Sequence, residues 1–298
     1  MNIRWLLLVL LLPGLLIQPA RAQKLAGPVA ATDERKESSS LLQMTATERQ
    51  FFALGLTLAR GSFAYAELAG EATVVSHTRS KIAQVGKLGK LAPVARRNRQ
   101  TAGEYLRQTQ ALMLTMNAPA AALAPIRKAS ERLTAPLVLT PDARPLAIFN
   151  GEAAQTLSAL NEFETLSSLP EDPALRKWLT SPGVSDSAQV WYGEGEISAL
   201  AQIAAAHRMP ELLPPAQEIA TDLRGLRDWL SLRLPDTPTP EQAALQKSLE
   251  QFLLDAGLKT KMSQKSQKPL SPAQMEALGT ISRLLQLQVL GTETASRL

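Results

Sequence analysis

A stripe of apolar residues at alternating three- and four-residue steps constrains this chain more than any other feature. Phe51, Leu54, Leu58, Tyr65, Leu68, Ala72, Val75 and Ile82 keep that spacing over four heptads, with Gly61 filling one stripe position. Side chains at these steps share one side of an α-helix, so the stripe predicts a long helix packed along a partner. Thr45-Ala46-Thr47-Glu48, just upstream, reads as a capping box that starts this helix. Gly55, Gly61 and Gly70 each weaken a helix by about 1 kcal/mol relative to Ala, while their small size permits close helix approach.

Gly86, Gly89 and Pro93 punctuate the end of the stripe, and a second helix is predicted from about Arg97 to Asn117, with Tyr105, Thr109, Leu112 and Met116 on one face. Two long helices around a short break predict an antiparallel hairpin. Ala118–Arg132 adds a helix that starts near Pro119 and Pro125, and Pro136, Pro141 and Pro145 mark a boundary between two halves. Beyond it the pattern predicts helices near 146–168, 173–180, 186–208, 211–234, 240–256 and 272–290. Asp172-Pro173, Thr239-Pro240 and Ser271-Pro272 are N-cap signals, and Gly257 and Gly291 stand where C-caps belong. Ile219, Leu223, Leu226 and Leu230 make one apolar face, and Leu278, Ile281 and Leu285 another. The short breaks suit stacked helical pairs, but no fixed repeat period accompanies them. Aromatic residues are 4% of the chain, and Leu and Ala dominate its apolar content, which argues against an aromatic-rich β-sandwich and for helices. The expected fold is therefore all-α. An N-terminal long-helix hairpin or bundle over 45–135 precedes a second group of shorter packed helices over 146–291 and a tail at 292–298.

The first 22 residues set an expected address. Arg4 supplies a positive start, Trp5–Leu12 is unbroken apolar chain, and Ala20-Arg21-Ala22 places small residues where a signal peptidase reads. Spanning a bilayer takes about 20 apolar residues, and Trp5–Ile17 is shorter and interrupted by Pro13-Gly14. A cleaved signal peptide over 1–22 and a flexible polar lead-in over 23–44 are expected, with a periplasmic or secreted product. A retained tether is the alternative. No later run is long and apolar enough for a transmembrane helix.

The chain has no cysteine, which removes disulfides, thiolate metal sites and cysteine nucleophiles. Its formal charge of +5 falls to +3 once Arg4 and Arg21 are cleaved away. That modest total hides a segregation. Arg79, Lys81, Lys87, Lys90, Arg96, Arg97, Arg99 and Arg107 are accompanied by one acid, Glu104. From Glu152 to Glu196 acids dominate, opposed only by Arg176 and Lys177, and Lys259, Lys261, Lys265 and Lys268 form a second basic cluster. Arg79, Lys87, Lys90, Arg96, Arg97, Arg99 and Arg107 are the candidate partner-binding residues, facing phospholipid headgroups, an acidic envelope polymer or an acidic protein. The alternative is mutual neutralisation of the two regions, or a plain solvated face. Nucleic acid is not expected, because the basic run lacks interleaved aromatics.

Other strings carry weaker chemistry. Trp191-Tyr192-Gly193-Glu194-Gly195-Glu196 sets aromatics beside carboxylates. A glycoside hydrolase needs a carboxylate pair, but residues two apart on a helix point about 200° apart. A distant partner such as Glu162 or Glu164 would be required. The structural alternative puts Glu194 and Glu196 in the first turn of a helix, with Trp191 and Tyr192 in the core. His77 and His207 are the only histidines and lack metal-ligand spacing, so no metal or cofactor is expected. Gly86-Lys87-Leu88-Gly89-Lys90 lacks the pattern of a phosphate loop. Trp178 and Trp229 read as buried indoles or as partner anchors.

Sparse reactive residues and abundant helix stripes favour an exported, non-enzymatic helical scaffold or adaptor of a bacterial-type cell envelope. It would bind a protein or an anionic envelope component, with homo-oligomers as a further possibility. The alternatives are a helical cell-wall glycan hydrolase using one of Glu162, Glu164, Glu194 and Glu196, and a small-ligand-binding sensor bundle.

Overall fold

The computed structural model describes residues 44–135, 151–207, 209–213, 237–256 and 269–295, with scattered helical positions between 216 and 227. Side chains are described as far as Leu285, except Glu241 and Gln242. The expected signal peptide, the lead-in before Met44, the 136–145 boundary, Trp229, and the lysines at 259, 261, 265 and 268 lie outside these residues. So do Leu226, Leu230 and Gly257.

The fold is all-α: the described residues contain helices and turns but no strand. The helices are α1 (Ala46–Ser62), α2 (Ala66–Ser76), α3 (Lys81–Lys90), α4 (Ala92–Thr115), α5 (Ala120–Thr134), α6 (Gly151–Leu166), α7 (Pro173–Leu179), α8 (Asp186–His207), α9 (Pro240–Asp255) and α10 (Pro272–Ala295). No helix among them is long and apolar enough to cross a membrane. Contacts group Gln50–Ser185 into one compact unit, and the described residues on either side of it into another.

Local capping explains where several helices begin. The Thr45 backbone N–H donates to Glu48 Oε2 at 2.8 Å, and the Glu48 N–H donates to Thr45 Oγ1 at 3.2 Å, completing the predicted capping box. Ser271 and Gln274 make the same reciprocal pair at the start of α10, at 2.8 and 3.2 Å. Asp172 Oδ1 accepts from the N–H groups of Ala174 and Leu175, with Pro173 at the first position of α7.

The 51–82 stripe is not one helix. It stays buried from Phe51 to Leu68 and at Val75, but residues 63–65 form a turn and a second break follows Ser76. Ser and Thr side chains drive that second break by competing for backbone groups. Ser76 Oγ donates to the Thr73 carbonyl at 2.6 Å, and Ser80 Oγ caps α3 by accepting from Ala83 N–H. Ile82, the expected last stripe position, is 87% exposed.

Within Gln50–Ser185, α1 and α4 run antiparallel. The hydroxyls of Thr57 and Thr109 meet at 3.0 Å, Arg60 reaches the Tyr105 hydroxyl, and Gly61 faces Leu106. A Cβ at Gly61 would lie 2.8 Å from Leu106 Cδ2, so glycine is what permits this approach. The buried line of α4 is Ala95, Asn98, Ala102, Leu106, Thr109 and Met113. It is turned from the predicted face: Tyr105, Leu112 and Met116 are only half-buried. Tyr105 stays at the edge because its hydroxyl accepts from Arg60, whose guanidinium also lies 5.3 Å from the ring centre. Helix α5 packs along α4, α6 packs against α3 and α4, and α7 packs against α5. Trp178 of α7 stacks obliquely on Phe51 at 5.9 Å.

In the other unit α10 packs against α8 and α9. Leu278, Ile281 and Leu285 are buried as the spacing requires, as are Ile219 and Leu223. Helix α10 continues through Gly291 to Ala295, so that glycine does not cap it.

Candidate functional site

The basic run lies wholly within the Gln50–Ser185 unit, on the turn after α2, on α3 and on α4. Arg79 and Lys81 are exposed at the turn and at the start of α3. Lys87 and Lys90 occupy the last turn of α3, where cations oppose the partial negative charge of the helix end. Both are exposed, with Lys87 Nζ 3.3 Å from Thr78 Oγ1. On α4, Arg96 and Arg107 are three turns apart and share one side of the helix. Both are exposed; Arg96 Nη1 approaches Gln155 Oε1 at 3.5 Å, and Arg107 Nε donates to the Gly103 carbonyl at 3.2 Å.

Two arginines of the run are engaged by acids. Arg97 pairs with Glu67 of α2 at 3.3 Å, but its side chain stays 62% exposed, so the pair contributes about 0–1 kcal/mol. Arg99 is different. Its side chain is 13% exposed and makes a short ion pair with Glu162 of α6. Its remaining N–H groups donate to the carbonyls of Arg132, Leu133 and Ala135 at 2.9, 3.1 and 2.7 Å. These are carbonyls at the C-terminal end of α5, which a helix cannot satisfy internally. Glu162 also accepts from the Tyr65 hydroxyl at 2.7 Å. Burial, then the hydrogen bond and charge of Glu162, push the Tyr65 hydroxyl well above its ordinary range, against a smaller opposing effect of Arg99 and Arg132. Arg99 therefore faces inward and holds the fold, while Arg79, Lys81, Lys87, Lys90, Arg96 and Arg107 face solvent. Among the described residues, the ion pairs that involve this run are those of Arg97 and Arg99.

Of the carboxylates weighed for glycan chemistry, two lie on α6 and two on α8. Glu162 is engaged by Arg99 and Tyr65, and Glu164 is exposed on the same helix. Glu194 and Glu196 lie in the middle of α8, not in a first turn, because that helix already starts at Asp186. Both are buried, as are Trp191 and Tyr192, and the Tyr192 hydroxyl donates to Glu196 Oε1 one turn away at 2.8 Å. His77 and His207 are exposed, and among the described residues no group of three His, Asp or Glu side chains is placed to hold a metal. Gly86–Lys90 is helical, which denies it the looped backbone of a phosphate cradle.

Sequence reasoning missed the Tyr65–Glu162–Arg99 cluster. Its members are separated by 97 and 63 positions and have no shared local pattern. The available signal was the isolated buried-stripe Tyr65, whose hydroxyl must find a partner once its ring is covered. No family model matches the chain, and neither a curated protein nor a solved structure shows significant similarity to it.

Proposed function

We propose that the chain is an exported, non-enzymatic helical scaffold or adaptor of a bacterial-type cell envelope that holds an anionic partner, protein or envelope component, on the basic face of α3 and α4. One observation carries this reading. Six cations of the 79–107 run face solvent, and the run's two ion pairs among the described residues leave them uncommitted. A field of one sign attracts an anionic partner and makes its capture salt-dependent. The layout of residues 1–22 supports export, and the scarcity of reactive side chains supports a binding role.

Cross-linking and affinity capture from the native envelope, at low and high salt, tests the reading. Charge reversal at Lys87, Lys90, Arg96 and Arg107 is expected to abolish capture of a defined anionic partner while leaving helicity intact. Arg99 is left alone, because its loss would damage the fold. Capture that is unchanged by these reversals at low salt overturns the proposal.

A further inference from the structure

Four large apolar side chains are strongly exposed among the described residues, and two of them flank one turn. Val74, near the end of α2, is 71% exposed, and Ile82, in the first turn of α3, is 87% exposed. The turn between them is built, not loose. Gln84 Nε2 donates to the carbonyls of Ser76 and Thr78, Lys87 holds the Thr78 hydroxyl, and Ser80 caps α3. Ile82 is thus held outward on a fixed helix start. Along α3, Ile82, Ala83, Gly86, Lys87 and Lys90 share the solvent side, while Val85, Leu88 and Gly89 turn toward the unit. A Cβ on Gly86 would meet nothing within 4 Å, so the surface there is open.

The sequence that follows Glu71 carries charge of one sign. From residue 72 to residue 103 the chain contains no Asp or Glu, and Arg79 and Lys81 lie beside the two protruding side chains. Apolar side chains exposed on both sides of a turn, with cations beside them and the exposed Glu71 the one acid within a turn of Val74 along the chain, have the chemistry of interfacial membrane attachment. The apolar groups enter the headgroup boundary and the cations meet anionic lipid. An acidic protein would take up the cations but offers an outward-projecting Ile82 no covering unless it carries a matching cavity. A fluid bilayer interface covers such a projection without one. We propose that the tip formed by the end of α2 and the start of α3 docks peripherally on a bilayer rich in anionic phospholipid, with Ile82 and Val74 inserted. This rests on the anionic-partner reading above and names its partner as lipid.

The chain has no cysteine, so Ala83→Cys provides a single attachment point for a polarity-sensitive dye at the tip. The full chain is used, and each variant is read against the same chain without it, so that any attachment through residues 5–17 is common to both. Vesicles of mixed phosphatidylglycerol and phosphatidylcholine are expected to shift the dye emission to the blue, and pure phosphatidylcholine is not. Each lysine near an anionic surface contributes roughly fivefold in affinity, so reversing Lys81, Lys87 and Lys90 to Glu is expected to raise the half-saturating lipid by at least about 100-fold. Ile82→Ser is expected to raise it about tenfold, and Gly86→Leu, which adds apolar surface in open space, to lower it severalfold. No shift at any anionic lipid concentration in low salt overturns the proposal, as does a shift that neither Ile82→Ser nor the lysine reversals change. A dye that stays in water while salt-sensitive capture of a defined protein persists removes the lipid assignment and leaves the adaptor reading standing.

Discussion

Two helix junctions, one in each unit, bury polar groups in opposite ways. In Gln50–Ser185 the junction of α4, α5 and α6 is organised by a charge: Arg99 joins Glu162, Tyr65 and the end of α5. In the unit containing α8 and α10 the link is neutral and small. Ser282 Oγ donates to the Ser198 carbonyl at 2.9 Å and accepts from Gln202 Nε2 at 2.8 Å. A few residues away a Cβ on Gly279 would sit 3.9 Å from the Ala205 Cβ, an ordinary packing distance between small side chains. A guanidinium satisfies several acceptors at once and so anchors a helix end, but every member must be present. Small hydroxyls satisfy one acceptor each and let two helices lie close. The first arrangement concentrates its stability in one residue; the second spreads it over a packed surface.

Arg99→Ala should break this comparison most visibly. It leaves the Glu162 carboxylate buried with Tyr65 alone and withdraws the donor from three carbonyls. Breaking a buried pair by removing one partner costs about 3–5 kcal/mol, and Arg99→Lys should recover little of it, because an ammonium cannot span the carboxylate and the carbonyls together. Hydrogen exchange should show lost protection over the last turn of α5 and over α6. A cost below about 1 kcal/mol would mean the cluster is not what holds these helices.

Tyr65→Phe should come next, at about 1.5–3 kcal/mol near neutral pH, since it removes a hydrogen bond to a charged acceptor. Its pH dependence separates it from a simple packing defect. The folded hydroxyl is held above the unfolded value of 10.0, so its contribution is fully present below pH 10 and is lost as pH rises beyond it. Denaturant unfolding of the wild type should therefore weaken by about 1.4 kcal/mol per pH unit above pH 10 relative to Tyr65→Phe, narrowing the gap between them. A gap that stays constant from pH 7 to pH 11 would show that Tyr65 ionises as freely in the folded chain as in the unfolded one.

Helix identity and many helix starts were legible because their causes are local. Capping boxes act over three residues: Thr45-Glu48 forms as read, and Ser271 caps α10 as its N-cap signal predicts. The continuity of the 51–82 stripe was misread because periodicity survives a tight turn: Tyr65 and Leu68 keep the phase of Phe51 and Leu58 although the helix is interrupted between them. The Ser76-His77-Thr78-Arg79-Ser80 stretch was the visible sign of the second break. The face of α4 was misjudged because Leu106 is drawn to the gap at Gly61, which requires knowing the partner helix. Of the basic run, exposure of Lys87, Lys90, Arg96 and Arg107 follows from charge alone. The inward turn of Arg99 depends on Glu162 and on where α5 ends, neither of which adjoins it in sequence.

Ser282→Ala gives the smallest effect and sharpens the contrast. It removes one donor and one acceptor between α8 and α10, both neutral, and leaves Gln202 able to reach water because that side chain is half-buried. The expected cost is about 1 kcal/mol. Neither a hydroxyl nor an amide titrates, so this cost should be the same at pH 7 and pH 11, where that of Tyr65→Phe has changed. Alanine leaves the helix spacing intact, whereas Ser282→Leu would force α8 and α10 apart and cost about 1–3 kcal/mol by overpacking. If Ser282→Ala proves as costly as Ser282→Leu, the hydroxyl itself organises this junction, and the two units depend on single polar anchors alike.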